Sequence, residues 1–288
     1  MRNTDNSSGN ASRPPAVLTD FDDTAAVQNV AELLLHQFGD PTWQEVRSRF
    51  RSGELTLKEY QEITFRNIQA DRAAMRNYVK QNANLRPYFR ELWLHCQEHG
   101  VPMAIVSQGL DFYIEALLEK EGFPQVPLYA VNTRFTPEGI TYHYYHAHPG
   151  EERRGNSKGL IVEQYQQQGH HVIYIGDGRS DFEAATRADT VFAHSLLAEE
   201  CRRQQIPFRP FTDFGDVLKV LREFPLMAFI HLTNDEERRT KACLDPSAKS
   251  DFVETHDPRS ELRTGLAERM RYQSFVLRLS SFVYNRRP

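Results

Sequence analysis

Apolar and polar positions along this chain follow two different periods. Residues 16–19, Ala-Val-Leu-Thr, form a short apolar run ending at an acidic turn, which predicts a buried strand that delivers Asp20 and Asp22 at its carboxyl end. Strand-like runs return at residues 102–107, 126–130, 171–175 and 190–193. Helical patterns at 110–121, 157–168 and 181–187 separate most of them, and that alternation predicts a parallel sheet flanked by helices. Residues 134–145, with Pro137-Glu138-Gly139 at the centre, read as a β-hairpin leaving the sheet.

Between 25 and 99 the period is helical throughout, with Val30, Leu33, Leu34 and Phe38 on one stripe and Leu57, Tyr60, Ile63 and Thr64 on another. Gly39-Asp40-Pro41 and Ser52-Gly53 divide this stretch, and Thr56 with Glu59 three residues later has the spacing of a capping box. The predicted fold class is therefore α/β, a Rossmann-like parallel sheet with an inserted all-helical segment. Its expected organisation is a disordered tail over 1–15, a core over 16–25 and 100–225, a helical insert over 26–99, and a poorly ordered C-terminal extension over 226–288. The tail is rich in Ser, Asn and Pro, and the extension has no periodic apolar face.

Composition adds constraints to this outline. The chain has 288 residues, 40% hydrophobic and 26% charged, enough to bury a substantial core. A net charge of −4, with both signs interspersed, supplies no basic stripe for nucleic acid or an anionic membrane. Any anionic ligand must be captured locally. Cys96, Cys201 and Cys243 lie far apart in no metal-binding or redox spacing. The polar start has no apolar core of a signal peptide, and no run approaches the roughly 20 apolar residues of a membrane span. A soluble, cytoplasmic protein is expected.

Polar clusters follow the strand-like runs: Asp20-Phe21-Asp22-Asp23-Thr24, Ser107-Gln108-Gly109, Lys158, and Gly176-Asp177-Gly178-Arg179-Ser180-Asp181. An isolated Asp-x-Asp is usually a polar turn, a lone lysine is usually solvated, and Ser107 has the character of a helix N-cap. Together, the clusters contain what phosphoryl transfer through an enzyme carboxylate requires. Those parts are a nucleophile, an acid/base, oxygen ligands for a charge-offsetting metal, and donors for phosphoryl oxygens.

The order DxDxT, Ser after an apolar strand, Lys, and GDxxxD resembles the haloacid dehalogenase superfamily, in the branch with a helical cap between the first two motifs. The stretches SGELTLKEYQE, SQGLDFYIEALLE, IYIGDGRSDFEAATRAD and AHSLLAEECRRQQIPFRPFTDF are similar to methionine-salvage phosphatases acting on 2-hydroxy-3-keto-5-methylthiopentenyl 1-phosphate and to phosphoserine-phosphatase-like relatives. The resemblance covers about residues 17–224. It implies that the insert is a helical cap and that the chain is a Mg²⁺-dependent phosphatase acting on a small phosphorylated metabolite. Asp20 is then the nucleophile and Asp22 the acid/base. Ser107, Gly109 and Lys158 hold the substrate phosphate. Asp20 and Asp177 bind Mg²⁺ together with the Asp22 backbone carbonyl, with Asp181 as an auxiliary ligand.

Two other functions remain open on the sequence. A metal-independent haloacid dehalogenase would also use an aspartate nucleophile, although Asp22 and Asp177 speak against it. A non-catalytic domain binding a phosphorylated ligand is the other. The chain departs from the family in having Asp23 where many members have Gly, expected to be solvated, and Ser180 where phosphoserine phosphatases have Asn. His143, His146 and His148 near the hairpin could hold a structural metal only if their side chains converge.

Overall fold

The computed structural model describes residues 13–68 and 70–224. Seven segments form one sheet: Pro15–Thr19 (β1), Met103–Leu110 (β2), Leu128–Thr136 (β3), Gly139–His143 (β4), His171–Gly176 (β5), Thr190–Ala193 (β6) and Arg209–Pro210 (β7). Their order is β4-β3-β2-β1-β5-β6-β7, and every pair is parallel except β3 with β4. All five residues of β1 are buried, because the central strand of a parallel sheet is covered on both faces.

Period-two alternation divides those residues between the two faces. Val17 joins Ile105 and Ile173 in one apolar cluster, while Ala16 and Leu18 join Ala104, Val106, Val172 and Tyr174 in another. Helices Phe89–Glu98 (α5), Asp111–Glu121 (α6) and Phe214–Glu223 (α10) supply the first cluster. Lys158–Gln167 (α7) and Phe182–Arg187 (α8) supply the second. Ser195–Gln204 (α9) packs through Leu197 and Cys201 beside Val191 and Ala193.

β1 stands where the strand order reverses, with β2 on one side and β5 on the other. The carboxyl ends of strands at such a switch point form the crevice in which open α/β sheets bind ligands. β3 is longer than the periodicity indicates and runs directly into the hairpin, where Asn132 pairs with His143. The sheet and the hairpin thus share one strand.

Four further helices follow β1: Val30–Phe38 (α1), Trp43–Arg51 (α2), Leu57–Arg66 (α3) and Arg72–Asn82 (α4). The capping box forms as its spacing predicts, with Glu59 N donating to Thr56 Oγ1 at 3.2 Å and Thr56 N donating to Glu59 Oε2 at 2.8 Å. The buried stripes are rotated from the expected ones. Leu35 is buried instead of Leu33, and Gln61 and Phe65 are buried instead of Leu57 and Ile63. Arg47 pairs with Glu32 at 2.5 Å, and Arg49 with Glu54 at 2.6 Å.

The expected 26–99 insert includes one helix too many. α5 packs on α10 rather than with the insert, and its Phe89 ring meets Phe214 at 5.2 Å. Periodicity identifies an apolar face but not the surface that covers it. α4 is also tied to the sheet's layers, since Arg76 donates to the Phe112 carbonyl at 2.8 Å. The 1–15 tail is likewise corrected at its end. Pro15 opens β1, the Pro14 carbonyl accepts from His171 N at 2.8 Å, and Arg13 donates to the His170 carbonyl at 3.1 Å. The rest of that tail and the 226–288 extension lie outside the described residues. Among those residues, no helix is long and apolar enough to cross a membrane.

Candidate active site

Asp20 directly follows β1, and its backbone N–H donates to the Ile175 carbonyl of β5 at 2.8 Å. The chain then turns sharply over Phe21–Ala25, where Ala26 N donates to the Phe21 carbonyl at 2.8 Å. Asp23 takes φ +58° in this turn. That is a left-handed conformation which glycine adopts freely and Asp or Asn tolerates. Asp23 is not simply solvated: it accepts from Asn29 Nδ2 at 3.0 Å. Arg86 braces the turn, donating to the Thr24 carbonyl at 2.7 Å and also to the Asp23 carbonyl.

The structure brings the distant polar clusters together. Lys158, 1% exposed at the first position of α7, places Nζ 2.6 Å from Asp20 Oδ1 and 2.6 Å from Asp181 Oδ1. Asp181 Oδ1 also accepts from Tyr174 OH at 2.6 Å. Its Oδ2 accepts the backbone N–H groups of Asp177 and Gly178 at 3.0 and 2.9 Å. A Cβ on Gly176 would lie 2.5 Å from the Asp181 carboxyl carbon, so the close approach requires glycine. Thr24 Oγ1 donates to Asp177 Oδ1 at 3.2 Å.

Carboxylate oxygens of Asp20, Asp177 and Asp181 all lie within 4.8 Å of one another. With one ammonium among three carboxylates, the centre is short of positive charge. Burial, then the nearby Asp181, raises the pKa of Asp20 well above its ordinary value against the pull of Lys158. The same two causes bring Asp177 up to about 7. Burial alone would lower the Lys158 pKa, but Asp181 and Asp20 outweigh it and keep the ammonium charged.

The Asp22 side chain lies outside the three-carboxylate set. Its Oδ1 accepts from Val30 N at 2.7 Å, at the start of α1, and its Oδ2 accepts from Tyr113 OH at 2.8 Å. Burial raises its pKa to about 6, against the lowering effect of these hydrogen bonds. Ser107 is buried in β2, and its Oγ accepts from Gly109 N at 2.9 Å. Ser107 and Lys158 lie near Asn156, whose carbonyl accepts from Gln108 Nε2 at 2.8 Å.

The three histidines do not converge. His143 stacks on Tyr145, His146 meets the Tyr129 ring edge-on, and His148 bonds to Glu183 Oε1 at 2.7 Å. Among the described residues, they form no group able to hold a metal.

Sequence reasoning passed over Tyr113, Tyr174 and Arg86. The available signal was a phenol inside an otherwise apolar run, as in 171–175, because a buried tyrosine hydroxyl needs a partner. For Arg86 no such signal stands in the sequence.

Residues 17–186 match the family model of the haloacid dehalogenase-like hydrolases. The chain is 28% identical over 217 residues to the 2-hydroxy-3-keto-5-methylthiopentenyl-1-phosphate phosphatase of Brevibacillus brevis, covering 74% of this chain and 97% of that protein. It is 29% identical over 209 residues to the enzyme of the same name from Bacillus cereus, covering 72% and 95%. Among solved structures, a HAD family hydrolase from Salmonella enterica serovar Typhi superposes with a TM-score of 0.57 at 14% identity, covering 74% of this chain and 73% of that one. A phospho-aspartyl intermediate analogue of phosphoserine phosphatase superposes with a TM-score of 0.54 at 15% identity, covering 73% and 99%. These two structural likenesses speak to the fold.

Proposed function

This chain belongs to the haloacid dehalogenase-like hydrolases and is a phosphoric monoester hydrolase, and from that premise we propose that it cleaves a small-metabolite phosphomonoester with Mg²⁺ through an aspartyl-phosphate on Asp20. The observation that carries this reading is the meeting of Asp20, Asp177 and Asp181 within 4.8 Å around one buried lysine.

The donor set fits magnesium. It is all oxygen, as a hard cation requires, and its carboxylates outnumber the one ammonium. Asp20 and Asp177 would hold the ion, with the Asp22 carbonyl beside them. Asp181 is occupied by four protein donors and acts chiefly as the anchor of Lys158 and of the 177–178 backbone. When bound, the ion offsets the negative charge of the phosphoryl group and the nucleophile.

The chain's own groups do the rest. Asp20 forms a bond to phosphorus as the ester O–P bond breaks, and Asp22 gives its proton to the departing alcohol oxygen. Asp22, now a carboxylate, takes a proton from water as the water oxygen bonds phosphorus, which frees Asp20 and inorganic phosphate. The Ser107 hydroxyl, the Gly109 N–H and the Lys158 ammonium hold the phosphoryl oxygens throughout. The pKa of about 6 at Asp22 suits a group that must give and regain a proton near neutrality.

α1–α4 serve as the cap that closes over substrate and excludes water. Contacts between α3 and the segment leading to Lys158 support this role. Tyr144 OH donates to Glu62 Oε1 at 3.0 Å, Lys58 Nζ donates to the Glu152 carbonyl at 3.1 Å, and Arg153 pairs with Glu59 at 2.8 Å.

The test is hydrolysis of p-nitrophenyl phosphate with and without Mg²⁺. Asp20→Asn should abolish turnover while the circular dichroism spectrum stays native, and wild-type turnover by that variant contradicts the reading. A panel of methylthiopentenyl, phosphoserine, phosphocholine and sugar phosphates then identifies the alcohol.

A further inference from the structure

We propose that Tyr113 is a positioning residue for Asp22: its buried hydroxyl, admitted by the missing side chain of Gly109, fixes one carboxylate oxygen while the first turn of α1 fixes the other. The inference rests on the reading of Asp22 as the acid/base.

Tyr113 is fully buried, walled by Phe21 at 6.1 Å and Phe112 at 5.5 Å between ring centroids. A phenol in such surroundings needs a hydrogen-bond partner, and the hydroxyl donates to Asp22 Oδ2 at 2.8 Å. Room for it exists because residue 109 is glycine. A Cβ there would stand 2.1 Å from the Tyr113 hydroxyl and 2.9 Å from Asp22 Oδ2. On the other side, Oδ1 accepts from Val30 N at 2.7 Å. With each oxygen held by a different element, the carboxyl group cannot rotate freely about its Cβ–Cγ bond.

The placement also couples two functions. Ser107, assigned to the phosphoryl oxygens, and Tyr113, which holds the acid, flank the same β2–α6 corner. That corner fixes the proton donor relative to the phosphoryl group. Loss of the hydroxyl should therefore damage protonation of the leaving group more than binding or attack on phosphorus.

Two esters of similar shape separate these effects. The nitro group lets p-nitrophenolate depart with little help, whereas phenolate from phenyl phosphate leaves faster when protonated. Because kcat/KM contains only the steps through phosphoryl transfer to Asp20, the ratio of kcat/KM for p-nitrophenyl phosphate over phenyl phosphate reports the acid. Tyr113→Phe should raise this ratio about tenfold, in line with loss of a hydrogen bond to a charged group. Gly109→Ala, which crowds the hydroxyl from the opposite side, should raise it too, since any loss of phosphate binding cancels in the ratio. On an Asp22→Asn background, Tyr113→Phe should leave the ratio where it is.

An unchanged ratio in both single variants, with both folded by thermal melting, overturns the role of Tyr113 and leaves the reading of the site intact. Failure of the wild type on both esters, or an active Asp20→Asn, overturns the reading of the site itself.

Discussion

The charged groups at the sheet's carboxyl edge and those linking the helical insert to residues 144–156 are of the same chemical kinds but stand in opposite surroundings. At the edge, Lys158 is 1% exposed between Asp20 and Asp181, and every Asp181 oxygen is committed. In the linking contacts, Arg153 is 71% exposed where it meets Glu59. A buried ion pair broken on one side leaves an uncompensated charge, whereas water replaces a lost partner at an exposed one. The edge is buried and fully paired, so fold and chemistry depend on it together; the linking contacts are ones that the proposed closure of the cap could break at little cost.

Breaking the edge should produce the largest effect. Lys158→Met should cost about 3 kcal/mol of stability near neutral pH, as expected for a severed buried pair, and should remove turnover. Denaturant melts at falling pH check the cause. The deficit should shrink as Asp20, whose pKa burial raises well above its ordinary value, takes up a proton, and a pH-independent deficit would mean that packing is responsible.

A smaller effect sharpens the comparison at Asp22. Its folded pKa of about 6 lies above the ordinary 3.8, so the native state binds the proton more tightly than the unfolded chain. This residue's contribution to stability is therefore complete below about pH 4 and is lost as pH rises through about 6. Asp22→Asn does not titrate, so its thermal midpoint relative to wild type should climb between those pH values. A flat difference would show that the hydrogen bonds from Val30 and Tyr113 cancel the effect of burial, and a falling one that they outweigh it. The smallest effect belongs to Arg153→Ala, which should leave the melting curve in place and kcat within about twofold. A clear loss of stability would erase the contrast between the two regions.

Much of the edge was legible in the sequence, because Asp20, Ser107 and Asp177 each stand at or near the end of a short continuous apolar run, and the sheet topology does the rest. Lys158 and Asp181 were found from their order in the chain, yet the 2.6 Å bond between them depends on Gly176 and Tyr174, which the apolar pattern hides. The insert was less legible. Its capping box is local and could be read from four residues, but α5 turned out to pack with α10 because periodicity does not name a partner. α9 and α10 were not predicted either, although Leu197, Cys201, Phe214, Val217 and Leu221 are buried. The hydroxyl of Tyr113 was passed over too: the phenol stands among apolar neighbours at the start of a helix, and its partner, Asp22, lies 91 residues away.

The central claim is that phosphorus passes through Asp20. Asp22→Asn should slow release from the aspartyl-phosphate, so the variant mixed with p-nitrophenyl phosphate and Mg²⁺ can be quenched in acid, digested and mapped by mass spectrometry. The account predicts a phosphate adduct on Asp20 that is absent when Asp20→Asn is added. Release of p-nitrophenolate with an adduct on a different residue, or with no adduct under conditions where release of phosphate is slow, would contradict it.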